Sequence, residues 1–219
     1  MDTAQLIELH PRLYHMASAG AWPSIQRHGL LSTQALLGLF EVGEPRRTAL
    51  LTTRRAETVT LRHPVHGEAS VRDNKPLTTA KLAASLTDGS TAEQFLASVN
   101  SRVFFWPTEQ RLNKLVGAKA YRDMPQTVLE VDTASLVRAH ESRVALSAIN
   151  SGATEPFATP RSLATFARID EFDLNHWQAR RGSWRNCVAE VCVDHSVPDI
   201  GDHVVRAYVR QPDGSEHPL

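Results

Sequence analysis

Short strand-like and helix-like segments alternate along the first half of this chain, and strand-like segments cluster toward its end. Alternating apolar residues predict the strands, and apolar residues three or four positions apart predict the helices. This order favours an α+β fold over a doubly wound parallel sheet, in which helices and strands would alternate throughout. The predicted helices cover residues 20–31, 33–40, 78–86, 91–99, 108–115 and 161–167. The predicted strands cover residues 12–16, 103–106, 127–131, 188–193 and 204–209, with weaker signals at 59–61 and 69–71.

The composition is that of an ordinary globular domain, with 42% hydrophobic and 22% charged residues. No linker rich in Pro, Gly or Ser divides the 219 residues, so we expect a single domain spanning 1–219. The 24 Lys and Arg residues balance the 24 Asp and Glu residues. That balance excludes a strongly basic nucleic-acid coat protein but is compatible with a local basic cleft.

The cysteines and the N-terminal stretch indicate the compartment. Cys187 and Cys192 lie five residues apart in a strand-like segment, which would place them on opposite faces, so we expect two buried free thiols. Unpaired thiols are typical of a reducing, cytoplasmic environment. The first 15 residues lack the basic and apolar regions of a signal peptide, and no window of 18 apolar residues predicts a membrane span.

Glu190 is the most unusual residue of the predicted strands, because it interrupts the apolar run of residues 188–193. A carboxylate at such a position must reach solvent or serve in a cleft, since burying it without a partner costs free energy. Two interpretations follow. Glu190 is either a solubilising residue on an edge strand or a rigidly held carboxylate that is aimed into a pocket.

His15 and the pair Arg54-Arg55 are the next candidates. His15 follows Tyr14 near the end of the first predicted strand, where an imidazole can hydrogen-bond a ligand hydroxyl or carbonyl; the alternative is a buried histidine with a protein partner. The two arginines lie in a polar segment. They are either a solvated basic pair or a guanidinium fork for a pyrophosphate.

No familiar cofactor motif accompanies these residues. The chain has neither the GxxxxGK[ST] nor the GxGxxG phosphate loop, and no GxSxG elbow. His63 and His66 are a weak zinc signal, because only His195 and His203 are available as distant partners. We therefore expect no metal, and a histidine-based metalloenzyme built from these four residues is kept as an alternative.

Several short motifs together resemble one family, the DarT-type ADP-ribosyltransferases, toxin enzymes that use NAD to modify single-stranded DNA. The similarity extends over about residues 13 to 200 in the family's order. Two features depart from the family: Pro107-Thr108-Glu109-Gln110 replaces its Pro-Arg-Ser-Pro-Met run, and residues 63–99 resemble an insertion. The matching motifs are Leu13-Tyr14-His15-Met16, Trp22-Pro23-Ser24-Ile25, His28-Gly29-Leu30-Leu31-Ser32, Arg54-Arg55-Ala56, Phe104-Phe105-Trp106-Pro107, Asn150-Ser151-Gly152-Ala153 and Ala189-Glu190-Val191-Cys192-Val193.

The resemblance implies an ADP-ribosyltransferase-like fold, with a split, bent mixed β core and flanking helices. It implies NAD as the co-substrate. Glu190 would anchor the nicotinamide-ribose hydroxyl and stabilise the positive charge that develops as the glycosidic bond breaks. Arg54 would contact the diphosphate and assist the acceptor base. The residues that the resemblance assigns to NAD binding are His15, Met16, Ala17, Ser24, Leu31 or Ser32, and Arg54.

The resemblance also implies an acceptor and partners: a base of single-stranded DNA, a macrodomain-type antitoxin and a monomeric enzyme. The basic run Arg180, Arg181 and Arg185 favours nucleic acid, and Phe105, Trp106 or Trp184 are available to stack on a base or to pack in the core. The zero net charge favours the alternative, in which RNA, protein or water accepts the ADP-ribose. A binding module without catalysis is the remaining alternative, against which the presence of His15, Arg54 and Glu190 argues.

Overall fold

A computed structural model describes residues 1–219 and contains nine α-helices and twelve β-strands. The strands are β1 (Arg12–Ser18), β2 (Leu30–Leu31), β3 (Val59–His63), β4 (Gly67–Val71), β5 (Arg102–Phe105), β6 (Gln126–Asp132), β7 (Val144–Ser147), β8 (Ala167–Arg168), β9 (Glu190–Asp194), β10 (Ser196–Val197), β11 (Val204–Arg210) and β12 (Glu216–Pro218). The helices are α1 (Thr3–Leu9), α2 (Trp22–His28), α3 (Thr33–Leu39), α4 (Arg46–Thr52), α5 (Thr79–Ser85), α6 (Ala92–Asn100), α7 (Glu109–Val116), α8 (Thr133–His140) and α9 (Leu174–Arg181). The predicted α+β class is confirmed.

Two four-stranded antiparallel sheets form the centre of the molecule. Their strand orders are β1-β6-β11-β12 and β5-β9-β7-β8. The sheets meet where β1 passes the end of β5, because Tyr14 and Trp106 exchange both backbone hydrogen bonds, at 2.9 and 2.8 Å. Because β5 also pairs with β9, this junction leaves only β5 between the first strand of the chain and the late strand that carries Glu190.

Strand β9 is buried on both faces. Val191 and Val193 belong to the main hydrophobic core, together with residues of β1, β5 and β6. Cys192, on the opposite face, packs in a second cluster that includes Phe95 of α6. Each such apolar side chain contributes about 1.5–3 kcal/mol when fully buried, so β9 is held rigidly from both sides.

The segment 63–99 contributes to both the core and the cleft wall. Helices α5 and α6 cover one face of the second sheet, with Leu82, Phe95 and Leu96 completely or almost completely buried. The hairpin β3–β4 packs on α3 and α4 through a separate apolar cluster that contains Leu61 and Val71. The description of this segment as an insertion relative to a family stays a prediction.

Several sequence predictions need correction. Helices α1, α4, α8 and α9 and strands β7 and β10 were not predicted, and β2 lies within the predicted helix 20–31. Strand β11 is followed by one further strand, and residues 161–167 contain a 3-10 turn and the start of β8 instead of an α-helix. Cys187 precedes β9 rather than lying within it; both thiols are free and buried. Helix α9 has clear end signals, since the Asp173 side chain accepts from the backbone N–H of His176 and Gly182 ends the helix at a φ of 72°.

Candidate active site

Two adjoining cavities open along the junction of the sheets. The first has a volume of about 330 Å³ and lies between β1, α2, the start of α3 and the hairpin β3–β4. The second has a volume of about 240 Å³ and reaches Glu190 at the start of β9. Six residues line both cavities, so the two form one cleft; they are Met16, Thr33, Arg72, Arg102, Phe104 and Trp106.

The first cavity contains five of the six residues that were predicted to bind a cofactor. They come from three consecutive elements, and the turn between α2 and β2 sets their arrangement. The assignment of these residues to cofactor binding stays a prediction, but the structure brings them together. The five residues are His15, Met16, Ala17, Ser24 and Leu31.

Gly29 makes this wall possible. It has a φ of 76°, and a Cβ atom there would lie 2.5 Å from both the Cα of Pro198 and the carbonyl oxygen of Val197. Only glycine combines this conformation with such a close approach of backbone. The approach lets β2 pair with β10 and places Leu31 at the cavity.

His15 is held in one tautomer at the floor of the first cavity. Its Nδ1 lies 2.8 Å from the carbonyl oxygen of Phe104, which can only accept a hydrogen bond, so Nδ1 carries the proton. Burial, together with a smaller effect of the nearby guanidinium of Arg72, lowers the pKa of His15 to about 4, although the hydrogen bond to Phe104 opposes this shift. The ring is therefore neutral at physiological pH, and Nε2 is left as a hydrogen-bond acceptor.

Glu190 is not an edge-strand residue, so the solubilising interpretation is wrong. Strand β9 lies between β5 and β7, and Glu190 is only 4% exposed. Its Oε1 accepts from the backbone N–H of Ser151 at 3.1 Å, whereas its Oε2 is buried without a partner. Burial raises the pKa of Glu190 to about 7, although Ser151 and the guanidinium groups of Arg111 and Arg161 oppose this shift.

The predicted role of Arg54 is not supported by its position. Its guanidinium donates to the backbone carbonyls of Leu77 and Lys75, and it lines neither cavity. Arg55 does line the second cavity, but it donates to the carbonyl of Arg72 at 2.8 Å and to Oδ1 of Asn100 at 3.0 Å. The interpretation of Arg55 as a solvated residue is wrong, because it is 8% exposed and most of its donors are used by the protein. The interpretation as a guanidinium fork for a pyrophosphate stays a prediction.

Arg72 is the cationic residue that sequence reasoning missed. It lines both cavities, its Nη2 donates to Oε1 of Gln126 at 2.5 Å, and its guanidinium lies 5.1 Å from the ring centre of Tyr121. Burial lowers its pKa from the usual arginine value. A signal was present, because Val71 faces the apolar cluster under the hairpin and the next residue must face the other side.

A family model matches residues 11–204 of this chain, which include His15, Arg72 and Glu190. It is described as a family of unknown function, DUF7002. The chain belongs to the DUF7002 family. A search of curated proteins found no match. In this DUF7002 protein, no helix has both the length and the apolar character needed to cross a membrane.

The basic and aromatic residues of this DUF7002 protein divide into buried and exposed groups. Phe105 is fully buried in the core, whereas Trp106 lines the cleft and Trp184 is 43% exposed. Arg180 and Arg185 are exposed, and neither has a carboxylate within 4 Å. The third arginine of this run has a structural contact: Arg181 donates to the carbonyl of Ala148 at 2.7 Å.

The histidines of this DUF7002 protein do not converge as the metalloenzyme alternative required. The only group of three possible ligands is His140, Asp199 and His203, so His63, His66 and His195 are not part of it. Nε2 of His140 lies 2.7 Å from Asp199, and its Nδ1 faces Arg143 at 2.6 Å. Since Arg143 can only donate, Nε2 of His140 carries the proton and points at the carboxylate. This geometry is that of a hydrogen-bonded joint between α8 and the turn before β11.

Proposed function

We propose that this protein is an NAD-dependent ADP-ribosyltransferase that transfers ADP-ribose to a base of single-stranded DNA. The single observation that carries the NAD chemistry is Oε2 of Glu190, a buried carboxylate oxygen without a partner in the wall of a cleft. Leaving such an oxygen unpaired is costly, so a ligand that brings it a hydroxyl donor or positive charge is stabilised. A ribose that is losing its leaving group brings both.

The chemistry assigned to Glu190 is electrostatic. The ionised carboxylate accepts a hydrogen bond from a hydroxyl of the nicotinamide ribose. The C1–N glycosidic bond breaks, nicotinamide leaves with the bonding electron pair, and the cationic ribose that remains is stabilised by the carboxylate in a site of low dielectric constant. A lone pair of the acceptor then forms the new bond to C1, and the acceptor's proton passes to solvent.

The rest of the cleft supports binding of a dinucleotide. Nε2 of His15 is a neutral acceptor suited to a ribose hydroxyl or an amide N–H, and Arg72 supplies a partly desolvated positive charge for the diphosphate. We therefore reassign the diphosphate contact from Arg54 to Arg72. The joined cavities have the size of ordinary ligand sites, about 300–1,000 Å³.

The sheet arrangement supports the finer fold assignment. Two antiparallel sheets that meet at the β1–β5 junction, with helices on their outer faces, fit the split and bent core of the ADP-ribosyltransferase architecture. The cleft lies at the split. The strand of His15 meets the end of β5, the strand of Glu190 pairs with β5, and the two residues line the joined cavities, which supports a shared binding site.

The choice of acceptor is supported by the exposed basic segment 180–185, which covers the end of α9 and the turn that follows it. Arg180 and Arg185 lack acidic partners, and Trp184 between them offers an aromatic face for a base. A single-stranded acceptor also avoids the few kcal/mol needed to extrude a paired base.

Action as a cytoplasmic, monomeric toxin with a macrodomain-type antitoxin rests on the family resemblance alone and is part of the same proposal. An antitoxin of that kind would remove ADP-ribose from the modified base. Its activity is tested by adding a macrodomain hydrolase to the labelled product of this protein. Loss of the label supports the partner assignment, and a label that persists contradicts it.

The experiment that tests the acceptor uses labelled NAD. The protein is incubated with single-stranded DNA, a duplex of the same sequence, RNA of the same sequence and a protein extract, and each product is analysed for the mass of one added ADP-ribose. We expect labelling of single-stranded DNA above all others. Equal labelling of the duplex, or labelling of RNA or protein alone, contradicts the DNA assignment, and nicotinamide release without a labelled product identifies water as the acceptor.

A further inference from the structure

The loop 150–154 shapes the environment of Glu190, and one buried guanidinium holds this loop. Arg161 is only 2% exposed. Its Nη1 donates to the carbonyl of Ser151 and its Nη2 to the carbonyl of Ala153, both at 2.8 Å. The same Ser151 presents its backbone N–H to Oε1 of Glu190 at 3.1 Å. The guanidinium of Arg161 therefore binds the peptide group that follows Ser151, and the peptide group that precedes Ser151 donates to the carboxylate of Glu190.

Arg161 is itself anchored from another part of the fold. Its backbone N–H donates to Ser85 at 2.9 Å, and its carbonyl accepts from Thr87 at 3.0 Å, at the end of α5. Its Nε donates to the carbonyl of Thr159 at 3.0 Å. The contact atoms are neutral carbonyl oxygens, and the carboxylate that favours the charged form of Arg161 is Glu190. Arg161 is therefore related to Glu190 in two ways: it holds the loop that hydrogen-bonds the carboxylate, and its positive charge is favoured by that carboxylate.

We propose that Arg161 is a positioning residue for Glu190: it fixes the loop 150–154, keeps the Ser151 N–H on the carboxylate and supplies a positive charge that favours the ionised form. The catalytic importance of Glu190 rests on the function proposed above, whereas the positioning does not. The charged and titratable groups facing Glu190 are Arg111 from α7, Arg161 itself and the thiol of Cys192 on the same strand, whose pKa burial raises well above its usual value.

The test compares two ways of removing a positive charge near Glu190. Arg161→Met removes the charge and the grip on the loop, whereas Arg111→Gln removes a charge without touching the loop. The carboxyl of Glu190 is titrated by carbon-13 NMR, with its signal assigned from its absence in Glu190→Gln, and exchange of the Ser151 amide hydrogen is followed in the same samples. Arg161→Lys keeps the charge but not the two-pronged contact.

We expect Arg161→Met to raise the titration midpoint of Glu190 by about one pH unit, because the variant removes a neighbouring cation and a hydrogen-bond donor together. We also expect Ser151 exchange to accelerate at least about tenfold in this variant. Arg111→Gln raises the midpoint without accelerating exchange, and Arg161→Lys keeps a midpoint near that of the wild type. The proposal is overturned if Arg161→Met leaves the midpoint unchanged, or if Ser151 exchanges no faster than in Arg111→Gln.

These readouts do not need enzyme activity, so failure of the positioning role and failure of the proposed function are distinguishable. If the wild type cleaves NAD, the acid limb of its pH–rate profile should move to higher pH in Arg161→Met, and the variant should recover activity by pH 9. Equal loss of activity at all pH values contradicts the electrostatic part of the proposal. Thermal melting shows whether Arg161→Met is folded. If it is unfolded, Arg161→Lys tests the proposal instead, and its Ser151 amide hydrogen must exchange faster than that of the wild type.

Discussion

Nδ1 of His15 on β1 lies 2.8 Å from the carbonyl oxygen of Phe104 on β5, so a single hydrogen bond crosses the junction of the two sheets. This bond fixes the imidazole ring in the cleft and determines which nitrogen faces a ligand. Because burial lowers the pKa of His15 to about 4, the ring keeps this role throughout the neutral pH range. The fold itself therefore holds a neutral imidazole in the cleft, with Nε2 as its hydrogen-bond acceptor.

Replacement of Arg72 tests the reassigned diphosphate contact. We expect Arg72→Gln to weaken NAD binding at least about tenfold, because a charged hydrogen bond to a phosphate contributes about 1.5–3 kcal/mol. Arg54→Gln is the matched control, since it removes the same charge from a residue outside both cavities. Calorimetric titration with NAD measures both dissociation constants. A larger loss of affinity in Arg54→Gln than in Arg72→Gln would restore the sequence-based assignment.

Glu190→Gln should stabilise the fold at high pH. The pKa of Glu190 is raised from about 4.5 to about 7, so its stabilising contribution is complete below pH 4.5 and is lost as the pH rises through 7. A neutral amide avoids this loss. We expect the free energy of unfolding of the variant, relative to wild type, to increase by about 3 kcal/mol between pH 4.5 and pH 8. Urea unfolding at both pH values measures it, and a difference that is independent of pH would contradict the buried carboxylate.

Gly29→Ala should destabilise the wall of the first cavity. The variant combines a positive φ with a Cβ atom 2.5 Å from the backbone of Val197 and Pro198. Gly20→Ala is the matched control, because Gly20 has a φ of 79° but no neighbour within 4 Å. We expect the control to lose about 1–3 kcal/mol from strain alone and Gly29→Ala to lose more. Equal melting temperatures for the two variants would show that the close approach is not maintained in solution.

Two exposed arginines, Arg180 at the end of α9 and Arg185 after it, should determine acceptor binding. We expect the double variant Arg180→Gln and Arg185→Gln to weaken binding of single-stranded DNA at all sequences alike. The slope of its salt dependence should fall by about 0.7 for each phosphate that an arginine no longer neutralises. NAD affinity should not change. The control removes two exposed arginines elsewhere, Arg46 and Arg138. If the control weakens DNA binding equally, the effect depends only on the net charge of the protein, and a specific role of Arg180 and Arg185 is contradicted.

The sequence was sufficient for the fold class and for β1, β5 and β9, because those strands have strong local patterns. The hairpin β3–β4 had only weak signals, and β2 was included in a predicted helix. It was not sufficient for the arginines. Whether Arg54 or Arg55 has free donors depends on carbonyl groups from Leu50 to Leu77, and the donors of Arg72 depend on the side-chain amide of Gln126. Only tertiary structure brings these groups close. Helix α9 was missed for another reason: few apolar residues mark its buried face, and the end signals at Asp173 and Gly182 were more informative than periodicity.

Burial of Glu190 is determined by strands that are distant in the sequence and not by the motif around it. As part of an isolated strand, it fitted an edge position as well as a pocket. The structure excludes the edge because β5 and β7 pair with both sides of β9. This information lies in residues 102–105 and 144–147, which are 43 or more positions away in the sequence, so no local pattern around Glu190 supplies it.

Release of nicotinamide from NAD by the wild type and by Glu190→Gln is the most direct test of the proposed NAD chemistry. The account predicts measurable release by the wild type and a loss of about 10²–10³-fold in the variant, the usual effect of removing one electrostatic contact to a transition state, with NAD affinity nearly unchanged. Both proteins should be folded by thermal melting. Release that is equal in the two proteins, or absent from the wild type while NAD binds in the cleft, would contradict the assignment of Glu190 as the catalytic carboxylate.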